Sequence, residues 1–349
     1  MEGHAARPRI ADVAREAGVS KTAVSFAFNS PERLSAETAA RIREVAESLG
    51  YRPNPVARML TQRQTMTLGV LTPQALAVIF SNPFFAPFSE GVAQAAEELG
   101  YELHFISPLH GSLAMAMGRA MVDGVVAIGL SADHPEVGQI EAAGLPMVLV
   151  DSEDLPGHSS VVVDDEAGAR AAAEHLIGLG HRDFLVLAVE GPQPAGNQPE
   201  HHGVSERRLR GYKAALGTAG LDLKSRQVVS ERASLAGGAA ALERALTGGS
   251  RPTAVLAMSD AMAIGAIRLA RERGLRVPDD LSVVGFDDID LAAHVDPPLT
   301  TVHQPIREKG AVAARLLLAR IAAGPGHRPE HIRLATELVV RSSTARANR

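Results

Sequence analysis

The chain of 349 residues contains no cysteine. Disulfides, thiolate nucleophiles and zinc–thiolate sites are therefore excluded together, and the composition fits a reducing compartment. No run approaches the length of uninterrupted apolar residues that a membrane span needs. Met1–Arg9 lacks the apolar core of a secretory signal, so the expected location is the cytoplasm. A P-loop, a Gly-x-Gly-x-x-Gly turn after a strand, a Gly-x-Ser-x-Gly elbow and a His-Glu-x-x-His pair are all missing in workable context. An enzyme is not expected, and neither a catalytic residue nor a cofactor is assigned. His201 and His202 are adjacent, cannot easily face one ion, and have no further ligand at metal spacing, so they read as a solvated loop. The C-terminus lacks heptads, which argues against a coiled-coil tetramer.

What is present is a soluble, globular composition, 46% hydrophobic and 21% charged, at a length that implies two or three domains. The net charge of −5 argues against nucleic acid as a partner, but the charge is unevenly placed. Residues 1–66 hold ten Lys and Arg against seven Asp and Glu, a net of +3, which leaves −8 for the remainder. A basic head on an acidic body suggests that only the head meets phosphate.

Residues 9–50 carry three short helical patterns. Ile10, Val13, Ala14 and Ala17 recur at helical spacing and stop at Gly18, a left-handed C-cap. Ser20 is placed as the N-cap of a second helix running to about Asn29. A third starts near Ser35, with Ala39, Ile42, Val45, Ala46 and Leu49 on one face. Helix, tight glycine turn, helix and supporting helix make a helix-turn-helix plan. Residues 52–66 read as a linker with one short helix inside it. From Thr67 strand and helix patterns alternate in two series, which predicts two doubly wound parallel-sheet lobes with a ligand crevice at their strand ends. The expected division is a small all-α head over 1–51, the linker over 52–66 and an α/β body over 67–349. Within the body, one lobe is expected to take about 67–162 and 304–331, the other about 163–303 and 332–349.

The head stretches Ile10-Ala-Asp-Val-Ala-Arg-Glu-Ala-Gly-Val-Ser20 and Lys21-Thr-Ala-Val-Ser-Phe-Ala-Phe-Asn29, followed by Leu49-Gly-Tyr-Arg-Pro-Asn-Pro-Val-Ala-Arg-Met-Leu60, resemble the LacI/GalR family of bacterial regulators. The body adds Asn82-Pro-Phe-Phe85, Val122-Asp-Gly-Val-Val126, Arg208-Leu-Arg-Gly-Tyr212, Ser259-Asp-Ala-Met-Ala-Ile-Gly265, Gly285-Phe-Asp-Asp288 and Pro298-Leu-Thr-Thr-Val-His-Gln304. In the right order these motifs leave little room for accident. The resemblance implies lobes of the periplasmic-binding-protein-like type and a transcriptional regulator, with a repressor as the leading form. A sugar-binding protein of the periplasmic kind would share the body, but it should carry a signal peptide and no helix-turn-helix.

A recognition helix needs one apolar face against its bundle and one polar face toward bases. Val24 and Phe28 are placed inward, and Ser20, Lys21, Thr22, Ser25 and Phe26 outward, toward the major groove. Lys21 can donate to guanine or phosphate, and Thr22 and Ser25 can serve either strand. Many relatives carry Arg where this chain has Phe26, which can touch a thymine methyl or pack locally. By resemblance Asn54–Leu60 is a hinge helix, with Leu60 as a minor-groove wedge, Ala57 beside it and Arg58 at the phosphate or groove edge. The alternative for Leu60 is packing on the body.

For the body the resemblance implies effector contacts from Phe84, Phe85, Arg208, Ser259, Asp287 and Gln304, in a cleft where relatives bind sugars or, less often, purines and nucleosides. Arg208 presents a rigid donor fork, Asp287 accepts from hydroxyls, and aromatic faces cover sugar CH edges. Asp260 is placed either in this cleft or at a helix N-cap. The expected partners are double-stranded operator DNA, a small-molecule effector and a second copy of the chain in a homodimer, with no membrane. Whether the effector induces or corepresses is left open.

Overall fold

The computed structural model describes residues 8–52, 64–132, 134–152, 155–190 and 203–348. Asn54, Ala57, Arg58, Leu60, His201 and His202 lie outside the described residues. The chain divides into a unit ending at Thr65 and a unit beginning at Met66.

Among its described residues the head holds three α-helices, α1 (Ile10–Glu16), α2 (Lys21–Asn29) and α3 (Ala36–Ser48), with a 3-10 turn over Pro31–Arg33. Gly18 closes α1 at φ +65°, a conformation that costs a side-chain-bearing residue strain. Ser20 and Ser35 then cap α2 and α3, their hydroxyls accepting from the amides of Ala23 and Thr38. Val13, Ala14, Ala17, Val24, Ala27, Ile42 and Ala46 bury one shared core. Arg43 of α3 donates to the carbonyl of Ala27 through Nε (3.3 Å) and Nη2 (3.2 Å), which ties α3 to the last turn of α2. The Phe28 ring is half-buried 6.1 Å from that of Tyr51.

The body is two sheets. The first runs β11–β5–β4–β3–β1–β2, from β1 (Thr67–Leu71), β2 (Glu102–Ile106), β3 (Gly124–Ile128), β4 (Met147–Val150), β5 (Ser159–Val163) and β11 (His331–Leu334). All its pairs are parallel. The second runs β12–β10–β9–β8–β6–β7, from β6 (Phe184–Val189), β7 (Val228–Glu231), β8 (Ala254–Ala257), β9 (Ser282–Asp287), β10 (Thr300–His303) and β12 (Glu337–Val339). Only its edge strand β12 is antiparallel.

Strand alternation sends successive residues to opposite layers. Val126 and Ile128 join the core with Ile79 of α4 (Leu76–Ser81), α5 (Phe85–Glu97) and α13 (Ile306–Ala323), whereas Val125 and Ala127 join Leu113 and Met117 of α6 (Leu113–Arg119) and Ile140 of α7 (Val137–Ala142). In the second sheet Phe184, Val186 and Ala188 meet α8 (Asp165–Gly178) and α9 (Gly203–Thr218). Leu185 and Leu187 face α10 (Leu235–Thr247) and α11 (Asp260–Glu272), and Ala292 of the short α12 (Asp290–His294) joins the same core. Both central strand sets are buried on two faces, as parallel sheets require.

The chain crosses between sheets three times: after β5, after β10 and after β11. The third crossing departs from expectation. His331–Leu334 hydrogen-bonds to β5 and stays in the first lobe, so the change comes after Leu334 rather than at 331/332. A four-residue strand with two exposed residues, read alone, does not say which sheet it joins.

Candidate functional site

On α2, Ser20, Lys21 and Thr22 are exposed, while Ser25 and Phe26 are half-buried. The Ser25 hydroxyl accepts from Asn29 Nδ2 at 3.3 Å. The Arg33 guanidinium lies 5.1 Å from the centre of the Phe26 ring. That contact gives Phe26 a local partner and places a cation beside the helix. The N-terminal turn of α2 contains no acidic side chain and begins with Lys21, so this face offers donors without an internal counterion.

The second site is a cavity of about 400 Å³ at the carboxyl ends of the body strands, within the range of small-ligand pockets. Phe84, Phe85, Arg208, Ser259, Asp287 and Gln304 all border it, residues up to 220 positions apart in sequence. Phe84 and Phe85 sit edge to face, 5.5 Å between ring centres, at the start of α5. Ser259 also caps α11, its hydroxyl accepting from the Met262 amide at 3.2 Å.

Asp260 corrects the sequence reading on both counts: it neither borders the cavity nor caps the helix. It is fully buried behind the wall, where it accepts from the Ile289 amide (2.9 Å) and the Thr301 hydroxyl (2.5 Å). Burial, with Asp287 and Asp288 adding repulsion, pushes its carboxyl up to about 8. Near neutrality it is mainly a neutral acid.

Arg208 lies on α9 with its guanidinium carbon 3.5 Å from the centre of the Phe286 ring. Its Nε donates to Asp165 Oδ1 at 2.8 Å, and its Nη1 donates to the Met258 carbonyl and stands 3.9 Å from Asp287. Burial opposes its charge, but Asp165 and Asp287 outweigh that and raise its pKa. Burial alone would raise Asp165, yet Arg208 and Arg207 hold it below the ordinary carboxylate value. Arg208 is thus both a cavity wall and one half of a buried ion pair, a structural role that sequence reasoning did not assign.

Asp287 ends β9 at φ +129°, backbone rarely adopted by a residue other than glycine, and strain of this kind gathers at functional sites. Burial pushes its carboxyl up to about 6, against the pull of Arg208, Gln304 and Lys309. It accepts from Gln304 Nε2 at 2.6 Å, and Gln304 Oε1 accepts from Lys309 Nζ at 2.6 Å. Lys309 Nζ also donates to both carboxylate oxygens of Asp151, each at 2.8 Å. A continuous polar chain therefore runs from Asp151 and Lys309 in the first lobe through Gln304, at a crossing, to Asp287 and Arg208 in the second. Asp151, Asp165 and Lys309 were missed from sequence. The one available signal was Lys309, a lysine on the stripe of Ile306, Gly310, Ala313 and Leu317 that α13 buries.

The combination of helix-turn-helix head and two-lobed body recurs in known proteins. Residues 9–54 match the family described as bacterial regulatory proteins, lacI family, and residues 173–344 match the periplasmic binding protein-like domain. An HTH-type transcriptional regulator of Mycolicibacterium smegmatis is 37% identical over 334 residues, covering 89% of this chain and 90% of that one. The structure of the transcriptional regulator CelR in complex with cellobiose is similar with a TM-score of 0.71 at 32% identity, covering 97% of this chain and 100% of that one. The lac repressor dimer bound to operator and the anti-inducer ONPF is similar with a TM-score of 0.80 at 28% identity, covering 97% and 99%. With that likeness running through head and body alike, the chain belongs to the LacI family of bacterial regulatory proteins and is a DNA-binding transcriptional regulator with an effector-binding domain.

Proposed function

We propose that the chain is a cytoplasmic repressor that acts as a homodimer and takes a sugar as effector in its interlobe cavity. Ser20, Lys21, Thr22, Ser25 and Phe26 read the operator major groove, with Phe26 and Arg33 presented together. Asn54, Ala57, Arg58 and Leu60 act at the minor groove between half-sites, with Leu60 as the wedge. Phe84 and Phe85 cover the apolar edges of the sugar, while Asp287, Gln304, Ser259 and Arg208 meet its hydroxyls. The effector shifts operator affinity through its different affinity for two lobe arrangements.

The observation that carries the effector reading is the meeting of two aromatic rings with buried carboxylate, amide and guanidinium groups around one 400 Å³ cavity. The cellobiose held by a relative supports the sugar class. The test is selection of an operator from random duplexes by the full chain, then gel shift of that operator across a sugar panel, cellobiose included. A sugar that moves the operator affinity, and whose effect is lost in Asp287→Asn, supports the reading. Absence of a selected sequence sinks the regulator assignment. Selection without any sugar response sinks the sugar.

A further inference from the structure

Lys309 stands in the first turn of α13 with none of its surface exposed. It does not border the cavity, yet it touches three residues that do. Its ammonium donates to both oxygens of Asp151 and to Oε1 of Gln304, and it lies 5.2 Å from the centre of the Phe84 ring. An ammonium has three protons, and these three bonds use all of them. A buried cation is unfavourable unless paired and hydrogen-bonded, and removing one partner of such a pair leaves the other unsatisfied. Every partner of this ammonium belongs to the wall in front of it, so its charge fixes that wall.

The consequences for that wall follow from donor and acceptor assignment. Asp151 sits at φ +52° just after β4, and the two bonds from Lys309 fix the plane of its carboxylate. Gln304 must turn its carbonyl to Lys309, which leaves its amide nitrogen to donate to Asp287 of the other lobe. The three lysine protons and one N–H of Gln304 are thereby spent inside the protein, while the carboxylates of Asp151 and Asp287 keep lone pairs to offer. This end of the cavity is dominated by acceptors, although Arg208 borders it 3.9 Å from Asp287. It suits a ligand that supplies hydroxyl donors and disfavours one that brings a phosphate or carboxylate there.

We infer that Lys309 is a positioning residue for the effector: through Asp151, Gln304 and Phe84 it sets a hydroxyl-reading face and selects neutral polyhydroxyl ligands over anionic ones. The ligand class rests on the sugar reading above, whereas the positioning role does not. Two measurements on the full-length chain separate them. The first is a crystal structure of ligand-free Lys309→Met beside the wild type. Asp151 and Gln304 are expected to leave their present side-chain orientations, and their retention would overturn the positioning role. The second is calorimetric titration with cellobiose, glucose and glucose 6-phosphate. For a neutral sugar that binds the wild type, the loss of two charge-assisted contacts' geometry is expected to weaken binding roughly ten- to hundredfold in Lys309→Met, and less in Lys309→Gln. Lys309→Met strips the Asp151 carboxylate and the Gln304 carbonyl of their donor and is expected to lower the unfolding midpoint, so the readout specific to positioning is the recovery of affinity in Lys309→Gln, which keeps hydrogen-bond donors, together with the crystal structures. Equal affinities in wild type and variants overturn the proposal, as does tighter binding of glucose 6-phosphate than glucose by the wild type. Should Lys309→Met fail to fold, Lys309→Gln carries both measurements. If neither neutral sugar binds the wild type, the sugar class fails, and the crystal structures still decide the positioning role.

Discussion

Replacing Arg208 by methionine separates its two roles, because Met keeps the unbranched stem and removes the guanidinium. Asp165 then loses the donor at 2.8 Å but keeps Arg207 at 2.9 Å, so the carboxylate is not left alone. Breaking a buried pair by deleting one partner costs about 3–5 kcal/mol. With Arg207 in place the loss should fall near the lower end, about 3 kcal/mol. The pH dependence gives the claim a sign. Arg208 opposes the burial-driven rise of Asp287, which stands at about 6 in the folded chain. Without Arg208 that value climbs further. A raised folded pKa contributes stability that is full below the unfolded value and is lost as pH rises through the folded one, so the variant loses more than the wild type above about pH 6. Asp165, held low by Arg208, adds a second widening of the gap at the acid end, as pH rises through its depressed range. Urea unfolding at pH 5 and pH 8 is the assay. The variant should be less stable at both and show the larger deficit at pH 8. A variant as stable as the wild type, or a deficit that shrinks with rising pH, refutes the reasoning. Arg208→Lys, which keeps charge without the planar fork, should fall between the two.

Further expectations concern other parts of the chain. Asp260, pushed up to about 8, contributes stability that is lost as pH rises toward that value. Asp260→Asn, which mimics the neutral acid, should therefore gain on the wild type between pH 5 and pH 8.5 in urea unfolding, and an unchanged difference would contradict the burial argument. At Gly238 an added Cβ would lie 2.0 Å from the Met262 carbonyl oxygen, whereas at Gly118 nothing stands within 4 Å. Gly238→Ala should force α10 away from α11 and cost about 1–3 kcal/mol or more, while Gly118→Ala in α6 should stabilise by roughly 0.4–1 kcal/mol; thermal unfolding distinguishes them, and similar midpoints would count against the close approach. Lys21→Ala should weaken binding to the selected operator and, if Lys21 meets a phosphate, lower the slope of log affinity against log salt by about one; an unchanged slope with lost sequence preference would place it on a base instead.

How much was legible in sequence depended on how strongly each segment declares its own period. Gly18 and Gly50, the caps Ser20 and Ser35, and the two-face-buried strands such as Val125–Ile128 announce themselves locally. The longest helix among the described residues, α13, was not singled out. Its buried stripe is Ile306, Lys309, Gly310, Ala313, Ala314, Leu317 and Leu318, where small residues and one lysine blur the apolar signal, and its N-cap position is Pro305 rather than a capping side chain. Edge strands β11 and β12 hold only exposed and half-buried residues and take their place from the sheet they join, not from composition. The six cavity residues named from resemblance all reach the wall. The remaining polar groups were invisible because their partners are remote: Asp151, itself on the wall, and Lys309 are 158 positions apart, and Asp165 and Arg208 are 43 apart.

The same remoteness bears on how the cavity could report to the head. Asp151 and Lys309 belong to one lobe and Asp287 and Arg208 to the other, and Gln304 joins them at the point where the chain crosses between sheets. A rotation of one lobe on the other has to stretch or re-form the Gln304 bonds, because Lys309 has no fourth proton and Asp287 is held at a strained strand end. Ligand hydroxyls arriving at Asp151 and Asp287 compete for the acceptors of this chain of bonds. If a sugar meets Asp151 and Asp287 as proposed, its binding and the lobe angle draw on one set of hydrogen bonds, and a ligand that satisfies the carboxylates in one arrangement better than the other shifts the balance by that difference. Substitutions behind the lining residues, Lys309→Met foremost, should alter the response of operator affinity to sugar more than the operator affinity itself.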